Sequence, residues 1–547
     1  MSRGEHLHLA KAARASITRL AVLALFAPIV LTTARGIARA AGASYEVFAR
    51  PSEYPDDGPR TVETDPALAG GAASPFGWHD TDGAAGAEYT TTRGNNVFAY
   101  TDADADNIPD AGSAPDGGAA LEFLFPLDLG AEPAAYRPAA VTNAFYWCNI
   151  LHDVLYEHGF DEAAGNFQEN NYGRGGVAGD AVLVEVQEGA FTNGVTVSTP
   201  IDGVAPRLQL ALFTLTTPRR DSALESYVVA YAYTRAVTSR LVGGPLDSSC
   251  LSAQEALGMS VGWSDWVALV VTAHVSDAAT TSRGVGTYVM GQPPAGAGIR
   301  AARYSTDPSL NALTYASIAT LPPPFGTGTV WATALWEMYW ALVEKHGFNA
   351  NIYADWTSGG NTLALRLVLD GMKTVECNPG FVEGRDAILS ADQNLTGGAN
   401  QCEIWRAFAA RGLGLGASQG SSSSLADGIE AFDVPAPCVI TDVAGSDAPG
   451  GAGTSASLAI AAPEPNPFAT ETRIRFAIPR AGRVRLAAYD AQGRVVAGLI
   501  DEARPAGASA FAWRARAADG SRVHPGVYFL RLEAGGDVAT RKLVVVR

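Results

Sequence analysis

The chain has 547 residues with 47% hydrophobic content, enough for roughly two to four domains and at least one large core. It carries 39 Lys and Arg against 56 Asp and Glu, a net charge of −17, and this acidic balance, without a basic run, excludes nucleic acid and anionic membrane surfaces as partners. The 59 Gly and 31 Pro point to a turn-rich architecture rather than a helical bundle.

Residues 1–40 read as a signal peptide. Arg3, Lys11, Arg14 and Arg19 precede an apolar run over 20–31, and Ala38-Arg39-Ala40 offers a cleavage site. The run is short for a bilayer, so no membrane span is expected after cleavage and the mature chain should be exported. The five cysteines are Cys148, Cys250, Cys377, Cys402 and Cys438, with no CxxC or zinc-like spacing. Disulfides are expected in an exported chain, with Cys377–Cys402 the preferred pair and one cysteine of the five left over.

Residues 41–129 read as short strands and turns. Within them Asp102, Asp104, Asp106 and Asp110 crowd one loop, DADADNIPD. Alternating carboxylates suit a hard cation, so a calcium loop is one expectation and a solvated acidic turn the other. Helical periodicity follows over 138–160, with Gly159 as a stop; His152-Asp153 on it reads as a satisfied buried pair. A strand is expected over 181–186. The stretch 222–241, SALESYVVAYAYTRAVTSRL, has no Pro or Gly and reads as a helix entering a core. Tyr231 and Arg235 lie i, i+4 on one of its faces. Further helices are expected over 252–273, 331–346, 363–372, 380–391 and 402–411. Residues 417–462 turn to Ser, Gly, Ala and Asp and read as a linker. From 463 to 547 the period returns to two, in strands such as TRIRFAI, GRVRLAAYD and GVYFLRLEA, which predicts a small β-sandwich.

The segments SPFGWH (74–79), RGNNV (93–97), NAFYWCNILHDVLYEHGF (143–160), AGNFQENNYGRGGVAGDAV (164–182), SRLVGGP (239–245), GWSDW (262–266), CNPGFVEGRDAIL (377–389) and CEIWRAFAARGLG (402–414) resemble, in order, the fungalysin family of secreted zinc metalloendopeptidases. The resemblance implies an α+β, thermolysin-like fold over residues 41–416, in which a β-rich N-terminal part and a helical C-terminal part meet at a zinc cleft. It also implies a His-Glu-x-x-His helix and, 30 residues after its first His, a glutamate as third ligand. Counting from SRLVGGP puts the ligand positions at Tyr231 and Arg235 and the general base at Ala232; counting from GWSDW puts the third ligand at Val261. The position of the oxyanion-stabilising His falls on Phe325, while Asp265 keeps the acidic residue that orients a ligand His. None of the first five residues can do the family's chemistry, because zinc requires His or carboxylate donors and an arginine stays charged.

The expectation from sequence is therefore a pseudopeptidase without the family zinc, with Arg235 paired to Asp265 across the site and a peptide or protein ligand in the old cleft. The alternatives are an active metallopeptidase using a non-standard metal set, and a surface protein that uses the domain as a spacer. The last block, with PNPF (465–468) and GVYF (526–529), resembles the C-terminal sorting domain of the bacterial type IX secretion system or the FlgD-type Ig-like module. That implies a bacterial chain, released or attached at the cell surface, whose terminal domain engages secretion machinery.

Overall fold

The computed structural model describes residues 42–439 and 458–546, apart from 461, 462, 464, 467, 491–493, 518, 519 and 536. The stretch read as a signal peptide, 1–40, lies outside them, as does the part of the expected linker over 440–457. The chain divides into two compact units at Val434 and Pro435.

The first unit opens with β1 (Ser44–Val47) and β2 (Thr61–Thr64), then β3 (Val97–Thr101) and β4 (Glu122–Phe123). β2 and β4 flank β1 in a three-stranded sheet. The long helix α1 (Arg137–Glu157) follows, buried along most of its length. Its His152–Asp153 pair is 2.9 Å apart, and Asp153 also accepts from Ser74 Oγ and Trp78 Nε1 at 2.6 and 2.8 Å, so this pair is a satisfied core group as expected. Next come β5 (Val182–Glu188), β6 (Val195–Ser198), β7 (Arg207–Phe213) and β8 (Arg220–Asp221). They complete a sheet in the order β3-β5-β7-β6, with β3, β5 and β7 parallel, β6 antiparallel at the edge, and β8 paired to β7.

The rest of the unit is helical: α2 (Ser226–Leu241), α3 (Gln254–Val271), α4 (Phe325–His346), α5 (Gly360–Thr374), α6 (Phe381–Thr396) and α7 (Gln401–Ala410). The expected helices all form. α4 starts six residues before its expected start at Trp331, because Pro322–Pro324 sit just ahead of its first turn, where a missing N–H leaves no helical bond unmade. α3 and α4 approach closely through glycines: a Cβ on Gly328 would lie 2.4 Å from Val261 Cγ1, and one on Gly262 would lie 2.6 Å from the Gly328 carbonyl oxygen. Trp263 packs edge-on against Trp331 there, at 5.8 Å between ring centroids. Residues 417–433, read as linker from composition, are hydrogen-bonded into the first unit, with Ser418 paired to Ile429 and Leu413 to Ala431.

The second unit contains β9 (Ala459–Ile460), β10 (Thr472–Ile478), β11 (Gly482–Asp490), β12 (Val495–Arg504), β13 (Gly507–Trp513), β14 (Gly526–Ala534) and β15 (Asp537–Val545). They form one sheet of order β13-β10-β9 and another of order β12-β11-β14-β15, antiparallel throughout. The alternating apolar residues Ile474 and Phe476 of β10 meet Leu486, Leu530 and Leu543 of the other sheet in a single core.

The preferred cysteine pair is corrected: Cys377 bonds Cys250, not Cys402, closing 127 residues of chain. Distance along the sequence hid this, because the chain after α2 passes beside the start of α6. Cys148 is free and fully buried on α1, and burial pushes its thiol up. A thiol that is neither ionised nor exposed does not react. A thiol-disulfide reagent should therefore titrate no Cys148 in the native chain and titrate it after denaturation.

Candidate functional site

α2 starts behind a buried acidic residue. Glu225 is fully enclosed; its Oε2 accepts from the Val289 N–H at 2.8 Å, while Oε1 has no partner. Burial pushes its carboxyl up from 4.5 to about 8, against a smaller lowering by that N–H. The helix then runs through the core, held to α3 by Thr238 Oγ1 and Ser260 Oγ at 2.6 Å.

The residues singled out on α2 and α3 meet as their spacing requires, but the chemistry between them differs from expectation. Asp265, fully buried on α3, does not pair with Arg235. Its carboxylate receives Arg300 side-on, Nε to Oδ2 at 2.7 Å and Nη2 to Oδ1 at 2.8 Å. Tyr227 Oη donates to Oδ1 at 2.5 Å and Tyr304 Oη to Oδ2 at 2.6 Å. Four donors on two oxygens leave the carboxylate saturated. Burial alone would lower the Arg300 pKa, but Asp265 holds it well above the ordinary value, so the guanidinium is a fixed cation. It lies over two aromatic rings, 5.1 Å from the Tyr231 centroid and 5.1 Å from that of Phe325. Arg300 comes from the Gly-rich segment between α3 and α4, where no spacing or motif marks it. The signal that was available is the retained Asp265 itself, which needs a cation once no His stands beside it.

Arg235, one turn beyond Tyr231, is half-buried, and its Nη1 is enclosed without a partner. Ala232 is in the core at 0% exposure, and Val261 fills the contact with Gly328. Burial pushes the Tyr231 phenol up, and Arg235 and Arg300 pull it only part of the way back, so it is a neutral hydroxyl and not an anionic donor at neutral pH. Phe325 begins α4 and is 53% exposed at the rim of a cavity of about 250 Å³. Phe213, Tyr227, Tyr231, Val289 and Arg300 line it together with Asn193–Val195, which lead into the edge strand β6.

The acidic loop gathers three of its four carboxylates, Asp102, Asp104 and Asp110, and turns the fourth away. Asp102 is buried and accepts from the Asp106 and Asn107 N–H groups at 3.2 and 2.9 Å. Asp110 Oδ2 accepts from Thr101 Oγ1 and Ala103 N, and Asp106 Oδ1 turns to the Ile108 N–H at 2.8 Å. Asp102, Asp104 and Asp110 each place one carboxylate oxygen within 4.8 Å of the other two, and Asp106 does not join them.

The sequence model of the fungalysin metallopeptidase family (M36) matches residues 44–417. Extracellular metalloproteinase MEP of Pyricularia oryzae is 44% identical over 377 residues, 67% of this chain and 57% of its own length. Extracellular metalloproteinase 2 of Arthroderma gypseum is 40% identical over 402 residues, 73% of this chain and 62% of its own. The chain thus spans less than two thirds of these relatives. Among solved structures, latent PorU from Porphyromonas gingivalis matches 17% of the chain at 18% identity with a TM-score of 0.15, which carries no argument about the second unit.

These matches correct the expectation that no metal cofactor belongs to the chain: the family is one of metallopeptidases, its relatives are named metalloproteinases, and zinc is the cofactor that such kinship implies. The residues at the expected ligand positions do not fit it, since a neutral phenol, a valine and an arginine make no zinc donor set. Among the described residues, no cluster of three His, Cys, Asp or Glu side chains includes a member of α2 or α3, and none includes a histidine.

Two outcomes follow. Arg300→Met, which strands Asp265, should cost about 3–5 kcal/mol in urea unfolding, whereas Arg235→Met, removing a group without a partner, should stay within about 0.5 kcal/mol. Glu225 binds its proton more tightly folded than unfolded, so its contribution is complete below about pH 4.5 and is lost as pH rises toward 8. The stability difference between wild type and Glu225→Gln, measured by urea midpoints at pH 5 and pH 8, should shift in favour of the Gln variant at the higher pH.

Proposed function

Because the chain belongs to the fungalysin metallopeptidase family, we propose that it is an exported member with a thermolysin-like two-part layout whose cleft binds peptide without hydrolysing it at the family's helix positions. The observation that carries this reading is the Arg300–Asp265 pair beneath the rings of Tyr231 and Phe325. In the family register, Tyr231, Arg235 and Val261 stand at the ligand positions, Ala232 at the general base and Phe325 at the oxyanion-stabilising His. Peptide hydrolysis needs an acceptor for the proton of the attacking water, and the methyl group of Ala232 accepts nothing. It also needs a donor for the developing oxyanion, which a phenyl ring does not supply. The reading rests on the base and on the cation that holds Asp265, not on metal content.

Binding is supported by the cavity beside that pair. Its aromatic lining offers a pocket for an apolar side chain. The adjoining strand β6 is at the edge of its sheet, with backbone groups free on one side to pair with an extended peptide. The names of the relatives support export, and among the described residues no helix is long and apolar enough to cross a membrane. Residues 1–40 are read as the export signal, and the two-sheet second unit as an adaptor for sorting or surface attachment.

The test is proteolysis and binding on the full chain. With zinc added, casein should be degraded at least ~10³-fold more slowly than by an active relative, as for enzymes lacking a catalytic group. A peptide array should retain ligands whose signal falls on Phe325→Asp. Turnover within tenfold of the relative overturns the inactive reading. Array signals that Phe325→Asp leaves unchanged overturn the cleft as the binding site.

A further inference from the structure

A second cluster of acidic side chains lies away from the cleft, where the C-terminal ends of the parallel strands β3 and β5 run side by side. Strict alternation along β5 would send Glu185 and Glu188 to opposite faces, because three residues separate them. The register of β5 on β7 slips between Val186 and Glu188, and Gln187 sits in the left-handed region at φ 55°. This bulge adds one residue and returns Glu188 to the face of Glu185. Gly189 then docks on the neighbouring chain, its N–H donating to the Asp102 carbonyl at 3.0 Å, with no room for a Cβ beside the Ala103 carbonyl oxygen. The result is that Asp102, Glu185 and Glu188 each place one carboxylate oxygen within 4.8 Å of the other two, at exposures of 0%, 0% and 2%.

Three buried carboxylates in contact demand compensation. Arg207 supplies part of it: it donates to Glu185, which also accepts from Tyr100 Oη at 3.2 Å and Gln209 Nε2 at 2.9 Å. Two carboxylates remain without a basic side chain bonded to them. Asp102 takes only backbone N–H groups from its own loop, and Glu188 Oε1 accepts the Ala190 N–H at 2.7 Å. Glu188 Oε2 is enclosed and has no hydrogen-bond partner. An enclosed carboxylate oxygen without a donor, facing two further carboxylates, is a ligand awaiting a cation.

We infer that Asp102, Glu185 and Glu188 form a calcium site that ties the end of β3 to the bulge of β5. All the donors are hard oxygens, which suit calcium or magnesium and not zinc. A Ca²⁺ about 2.4 Å from each ligand spans oxygens up to about 4.8 Å apart, whereas Mg²⁺ at about 2.1 Å requires a tighter octahedron. The site differs from the loop expected from sequence. It keeps Asp102, takes its other ligands from a strand some eighty residues on, and leaves Asp106 to the Ile108 N–H.

The test titrates Ca²⁺ into the full chain after removal of bound cations with EGTA, following the thermal midpoint and the binding heat. Calcium at ~1 mM should raise the midpoint by several degrees, while Mg²⁺ at the same concentration should not. Glu188→Gln should weaken calcium binding at least ~10-fold and abolish the shift, yet melt in EGTA no lower than wild type, since it removes an uncompensated charge. Asp106→Asn should keep the wild-type shift. A wild-type midpoint that calcium does not move overturns the site, as does an equal response to magnesium or a full calcium shift in Glu188→Gln. The wild-type titration decides by itself should the variant not fold.

Discussion

The cleft of this protein depends on one ion pair. Asp265 sits at the inner face of α3 with no exposure, and burying a carboxylate there is tolerable only if its charge and both its oxygens are met. Arg300 meets them from one side and Tyr227 and Tyr304 from the others. These four residues come from α2, α3 and the segment between α3 and α4, so a single carboxylate fixes the relative placement of the elements that wall the cavity. The guanidinium in turn gives the rings of Tyr231 and Phe325 a shared cation to face.

The positions around that pair have been absorbed into packing. Val261 fills the contact with Gly328, Ala232 is in the core, and α3 and α4 approach through glycines that leave no space for an added atom. The helices α2, α3 and α4 converge there on hydrocarbon, one cation and a phenol raised by burial. The same economy marks the far end of the sheet, where a one-residue bulge in β5 gathers carboxylates that alternation would have kept apart.

Much of this was legible in the residues. Periodicity located all seven helices of the first unit, because their apolar faces are long and punctuated by Gly or Pro, and alternation located the strands of the second unit. Counting from SRLVGGP singled out Tyr231 and counting back from Trp331 singled out Phe325, and the two line one cavity although no contact between them is encoded locally. What escaped has a common physical cause: each missed feature is a long-range pairing chosen among several candidates of the same type. Asp265 had Arg235 near it on the helix map, and only the three-dimensional path of a Gly-rich segment prefers Arg300. Cys377 had Cys402 near it in sequence, and only the chain's return past α6 prefers Cys250. The edge strand β6 and its neighbour β7 carry VTVS and RLQLALF, too short and too mixed to stand out from the turns between them. Glu188 was invisible as a partner of Asp102 because a bulge, not a pattern, creates the contact.

The most direct measurement is a double-mutant cycle on Arg300→Ala and Asp265→Ala, read from urea unfolding of the full chain, with Arg235→Ala and Asp265→Ala as the parallel cycle. The account predicts a coupling of about 2 kcal/mol or more for Arg300 with Asp265 and close to none for Arg235 with Asp265. Additive effects in the first cycle, or strong coupling in the second, would contradict it.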